Sequence, residues 1–175
     1  MRKFFTAAIC VALLAATACN QTGSNSATTE KLTDTADQAD AALPDHQNVS
    51  KVISSYIVLK DELVKSDAAA GQKAAAALED ELIAVKGCAE AATIARQIAE
   101  TTDIEGQRKA FLTLSNDIIT LAKGVKTETT TYIAYCPMAD DSKGGFWLSD
   151  KPEIKNPYFG DAMLTCGEVK EVLKK

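Results

Sequence analysis

Residues 103–125 read DIEGQRKAFLTLSNDIITLAKGV, and this stretch decides the fold class. Phe111, Leu114, Ile118, Leu121 and Val125 recur at steps of three and four, which is the period of one buried helical face. Asp103 stands where an N-cap belongs, and Gly124 stands where a helix of this length can end. The spacing predicts a strong amphipathic helix from Asp103 through Lys123. Arg108, Lys109 and Ser115 are read as polar groups on its solvated side or in local hydrogen bonds.

Working back along the chain, the same period continues. Val49, Val52, Ile53, Tyr56, Ile57, Leu59 and Leu63 predict a helix from Asn48 to about Lys65. Ser66-Asp67 supplies cap chemistry for a helix from Ala68 to Lys86, with Ala75, Leu78, Leu82 and Val85 inward and Gly87 placed to stop it. A small-residue helix follows from Cys88 to about Glu100, carrying Ala92, Ile94, Ala95 and Ile98. Four helices with short connections favour an up-and-down bundle, and the alanines allow close backbone approach. Cys88 at a helix start is read as a small packed thiol.

Working forward, the period breaks after Lys126. Thr127 to Ala134 favours strand, and Cys136-Pro137-Met138, Gly144-Gly145-Phe146-Trp147 and Asn156-Pro157-Tyr158-Phe159-Gly160 exclude a regular helix. This 127–175 region reads as an aromatic-rich cap of turns and short strands. Thr165-Cys166-Gly167-Glu168 has the capping-box form, which predicts a short final helix. The fold expected is mainly α, with one domain over 47–175.

The N-terminus carries a different message. Arg2 and Lys3 precede an apolar run from Phe4 to Ala16, too short for a comfortable membrane span, that closes on Ala16-Thr17-Ala18-Cys19. Residues 1–18 read as a lipoprotein-type signal, with Cys19 the lipidated residue; an A-x-A cleavage that leaves Cys19 unmodified is the alternative. Residues 19–46 are polar, rich in Thr, Ser, Asp and Ala, and read as a flexible tether, with His46 a solvated histidine at its end. No second apolar run is long enough to cross a bilayer. The expectation is an exported protein held to a bacterial envelope membrane by lipid alone, with its domain in the periplasm or at the cell surface.

Composition narrows the chemistry. The chain has 175 residues, five cysteines, one histidine and a formal charge of −5, which argues against a multi-histidine metal centre and against nucleic acid as partner. No base stands ready for a cysteine nucleophile, no glycine loop cradles phosphate, and no Ser-His-Asp set is apparent, so the chain reads as non-catalytic. Two methionines follow the initiator, and each lies beside a cysteine: Cys136-x-Met138 and Met163-x-x-Cys166. Soft thiolate and thioether donors match Cu(I) or another soft ion better than hard cations, and such a site needs no histidine. In an oxidising compartment the same two cysteines can instead form a Cys136–Cys166 disulfide that staples the cap. Both readings stand.

Three segments resemble a known family. Tyr132-Ile133-Ala134-Tyr135-Cys136-Pro137-Met138-Ala139, Lys143-Gly144-Gly145-Phe146-Trp147-Leu148-Ser149 and Ile154 through Gly167 are similar to the bacterial domain-of-unknown-function family numbered 3347. The helical residues Gln107-Arg108-Lys109-Ala110-Phe111 and Leu114-Ser115 resemble it too. The resemblance implies an exported protein associated with periplasmic adaptors of heavy-metal efflux pumps, and hence copper or silver handling. It carries the metal-site expectation onto Cys136, Met138, Met163 and Cys166, with a metal ion and an efflux adaptor as partners.

Overall fold

A computed structural model describes residues 46–126 and 129–174. The signal segment and the tether before His46, Cys19 included, lie outside the described residues. Four helices come first: α1 (His46–Val64), α2 (Ala68–Ile83), α3 (Ala89–Glu100) and α4 (Ile104–Lys123). Then come β1 (Thr131–Cys136), a single turn α5 (Ala139–Ser142), β2 (Gly145–Ser149), a 3-10 turn (Gly160–Met163) and β3 (Glu168–Leu173). Each long helix packs on its sequence neighbour, and α4 returns to α1, closing the bundle. Among the described residues no helix is long and apolar enough to cross a membrane.

The caps follow the sequence. Asp67 accepts a hydrogen bond from the Ala70 N–H, and Asp103 accepts one from the Gly106 N–H. Gly124 closes α4 with its N–H on the carbonyls of Thr120 and Leu121. Helix α2 ends earlier than expected, at Ile83, and the chain turns through Gly87 before α3. His46 opens α1 with an exposed side chain rather than ending the tether.

The core runs through all four helices, from Val52, Tyr56 and Leu63 through Leu78, Leu82, Ala95 and Ile98 to Phe111, Leu114 and Ile118. Tyr56 and Phe111 stack with ring centroids 5.1 Å apart. The sheet packs on this bundle through β2 against α4, and Trp147, Leu148, Ile133 and Tyr158 join the core.

The three strands are antiparallel in the order β2-β1-β3. Cys136 pairs with Gly145 on one side, and Tyr135 pairs with Glu168 on the other. The expected final helix is thus a strand. Gly167, at φ +138°, turns the chain just where the cap pattern had placed the first helical turn, and Val169 and Val172 suit the open side of β1. An added Cβ at Gly167 would stand 2.8 Å from the Tyr135 carbonyl oxygen, so only glycine lets the chain pass this close to β1.

Two further expectations on α4 are corrected. Arg108 and Ser115 lie one turn before and one turn after Phe111 on its face and are buried, not solvated; Lys109 is exposed as expected. The Arg108 guanidinium donates to the carbonyls of Pro157 (3.0 Å) and Leu63 (3.1 Å), to the Ser66 hydroxyl and to Glu105. Ser115 meets the Tyr56 hydroxyl at 2.7 Å. Both groups fasten parts of the chain far apart in sequence, which only tertiary structure reveals.

Candidate functional site: a thiol pair at the end of the central strand

Cys136 is the last residue of the central strand β1 and is fully buried. Cys166 lies just before Gly167 and β3, and is half-buried. Because β3 runs back along β1, continuing their pairing past Tyr135–Glu168 delivers Cys166 to the end of β1. The two Sγ atoms are 2.8 Å apart, with no disulfide bond joining them.

The loop that carries Cys166 is held by Asn156, which is fully buried. Its side-chain amide donates to the Cys166 carbonyl (2.9 Å), and its backbone N–H donates to the Leu164 carbonyl (2.8 Å). Its side-chain oxygen accepts from the Tyr158 N–H, and its own carbonyl accepts from the Gly160 N–H. The next residue, Pro157, offers its carbonyl to Arg108, so the loop is anchored to α4. The Cys166 N–H reaches the Met163 carbonyl at 3.0 Å. Asn156 and Arg108 therefore position a thiol neither of them touches.

Hydrogen bonding to Cys136 raises the Cys166 thiol above the usual range, burial and the neighbouring sulfur add to this, and the Met138 backbone pulls it down. The Met138 backbone is thus close to the Cys166 sulfur. The thioether side chains of Met138 and Met163 are among the exposed large apolar groups, at 45% and 39%. Of the four sulfur residues expected to converge, the fold joins the two thiols and sets Met138 beside them; Met163 lies one turn before Cys166 with its side chain towards solvent.

Met138 also lines a cleft of about 410 Å³ with Leu112, Ala139, Tyr158 and Phe159, edged by Asp140 and Asp141. Asp140, Asp141 and Ser142 have φ of 49°, 53° and 69°, three successive non-glycine residues in the left-handed region. That conformation costs on the order of 1 kcal/mol per residue and is common where a chain serves a site. Behind the pair, Tyr158 is buried, its hydroxyl donates to the Phe146 carbonyl, and burial pushes its phenol well above the usual range.

Cys88 is elsewhere, at the start of α3, half-buried in a separate cleft with Glu90, Asp117 and Ile118. Among the described residues, no group of three or more His, Cys, Asp or Glu side chains is placed to hold a metal ion. Any ion at Cys136 and Cys166 would have these two thiolates as its anionic protein ligands, with thioether help.

A four-helix bundle capped by a three-stranded sheet, with paired thiols at the end of the central strand, defines the class by architecture and chemistry. The family model described as a protein of unknown function (DUF3347) matches residues 52–130, the family that the sequence resembles. The match covers the bundle from the second turn of α1 onward and stops before β1 and the thiol pair. No curated protein and no solved structure matches the chain.

Proposed function

We propose that this is a non-catalytic envelope lipoprotein, anchored through Cys19, that binds Cu(I) or another soft metal ion as a buffer or as a donor to an efflux adaptor. The observation that carries the reading is the 2.8 Å contact between thiols 30 residues apart in sequence. Two adjacent thiols become two thiolates when a soft cation displaces their protons, and the donor set then suits Cu(I) better than zinc or a hard cation. Cys136 and Cys166 would be the anionic ligands, and the half-exposed thioethers of Met138 and Met163 would be the neutral ones.

A second reading rests on the same contact. Two sulfurs this close, one of them fully buried, are also placed for a structural disulfide between β1 and the lead into β3.

Anaerobic Cu(I) titration of the reduced protein against a competing chelator tests the first reading. Near-stoichiometric uptake is expected, lost in the C136S/C166S double variant; equal uptake by that variant removes the site. Intact mass before and after reduction tests the second. A bridge shifts the mass by about two hydrogens and leaves Cys88 alone open to alkylation among the described cysteines.

A further inference from the structure

The two thiols are in contact but are not equivalent. Cys136 has no exposed surface and belongs to the core cluster, whereas Cys166 sits in a turn with part of its surface open. The Cys136 sulfur is closed to an outside molecule, whereas the Cys166 residue is partly exposed. We infer that Cys136 and Cys166 form a reversible dithiol–disulfide couple of fixed polarity, in which Cys166 exchanges with an outside disulfide and Cys136 resolves the product.

The chemistry balances as follows, with a small-molecule or protein disulfide as oxidant. Cys166 loses its proton, and its thiolate attacks one sulfur of the outside disulfide. That S–S bond breaks, a mixed disulfide forms on Cys166, and the departing thiolate takes up the proton. Cys136, already at 2.8 Å, then loses its proton and attacks the Cys166 sulfur. The Cys136–Cys166 bond forms as the second outside thiolate leaves with that proton. Two protein thiols are oxidised, and one outside disulfide is reduced to two thiols. A dithiol reductant reverses both steps.

The couple also regulates the proposed metal site, and this part rests on that proposal. Soft-metal binding needs both thiolates, so closing the bridge removes the ligands and opening it restores them.

The test uses glutathione disulfide on reduced protein, with intact mass and peptide mapping to separate Cys88 from the pair. C136S is expected to hold one glutathione at Cys166. Wild type should lose two hydrogens without retaining an adduct on the pair, and C166S should be modified at Cys136 at least about tenfold more slowly, as thiol access dictates. Equal labelling of Cys136 in C166S, with circular dichroism showing a native fold, overturns the polarity. Because a cysteine variant can unfold, pulse alkylation of reduced wild type gives an independent measure. Cys166 should react first, and prior or equal reaction at Cys136 overturns the inference. Copper uptake is then measured on both redox forms. Uptake confined to the reduced form supports the gating, and equal uptake by the bridged form refutes it. If neither form binds copper, the metal reading and the gating fall together, and the exchange polarity is decided by the glutathione result.

Discussion

Arg108 of α4 donates a 3.0 Å hydrogen bond from Nε to the carbonyl of Pro157, joining the bundle to the loop that presents Cys166. Its Nη2 reaches Leu63 and Ser66 at the end of α1, so one nearly buried guanidinium ties three parts of the chain together. The bond to Glu105 adds little, since that carboxylate is 69% exposed.

Arg108→Ala leaves two carbonyls without this donor. A hydrogen bond from a charged group is worth about 1.5–3 kcal/mol, and several are lost here, so we expect destabilisation of about 3 kcal/mol by urea unfolding. Arg108→Lys should recover only part of this, because an ammonium lacks the planar fork that reaches Pro157 and Leu63 together. Full stability of the alanine variant would show that water replaces the guanidinium.

Gly71→Ala sets two known effects against each other. Alanine in a helix gains roughly 1 kcal/mol over glycine. The new Cβ, however, would lie 2.7 Å from the Gln107 side-chain oxygen. That amide is pinned by its nitrogen to the carbonyls of Ala68 and Thr101 and cannot swing away freely. Overpacking costs about 1–3 kcal/mol, so a net loss of about 1 kcal/mol and a lower Tm are expected. A raised Tm would mean that Gln107 moves cheaply.

The alkaline limit of the fold should be set partly by Tyr56 and Tyr158. Burial raises both phenols far above their ordinary value. An acid whose pKa is higher in the folded state than in the unfolded state favours folding less as pH rises past the unfolded value. Stability should therefore be unaffected by these groups below about pH 10 and fall by about 1.4 kcal/mol per pH unit for each phenol above it. Tyrosinate absorbance from these two should appear together with the loss of helical circular dichroism. Tyr56→Phe and Tyr158→Phe should each make the alkaline fall shallower.

Cys88 gives a prediction on reactivity. Burial raises its thiol, and Asp117 raises it further by disfavouring a second negative charge. Asp117→Asn removes the smaller of these two causes, so alkylation of Cys88 near neutral pH should quicken by a modest factor, about two- to fivefold. An unchanged rate would assign the protection to burial alone.

The helical half of the molecule was legible from local pattern. Asp67 and Asp103 cap the helices they were expected to cap, and the Phe111 stripe is buried through Ile118, with Leu121 and Val125 partly buried at its end. Arg108 and Ser115 read as solvated polar groups, although their spacing from Phe111 is the same three and four residues that mark the core. Their polarity outweighed their position, and the partners that satisfy them are about fifty residues away. The final strand is hidden from local pattern for a similar reason. The Thr165–Glu168 pattern suits a helix start, and only the open side of β1 selects strand instead. At the candidate site, the local pairing of cysteine and methionine was visible in sequence. The unequal burial of the two thiols and the anchoring by Asn156 were not, because both depend on how distant segments fold back.

Among the described residues the outer strand β3 is paired on one side only, along β1. Glu168, Lys170 and Glu171 stand exposed there, with Lys170 on Glu168 and Lys123 of α4 reaching across to Glu171. A strand from a neighbouring molecule that tried to extend the sheet would have to displace these ion pairs and strip water from their charges before gaining its first backbone bond. The charges along this edge thus disfavour strand pairing between neighbouring copies.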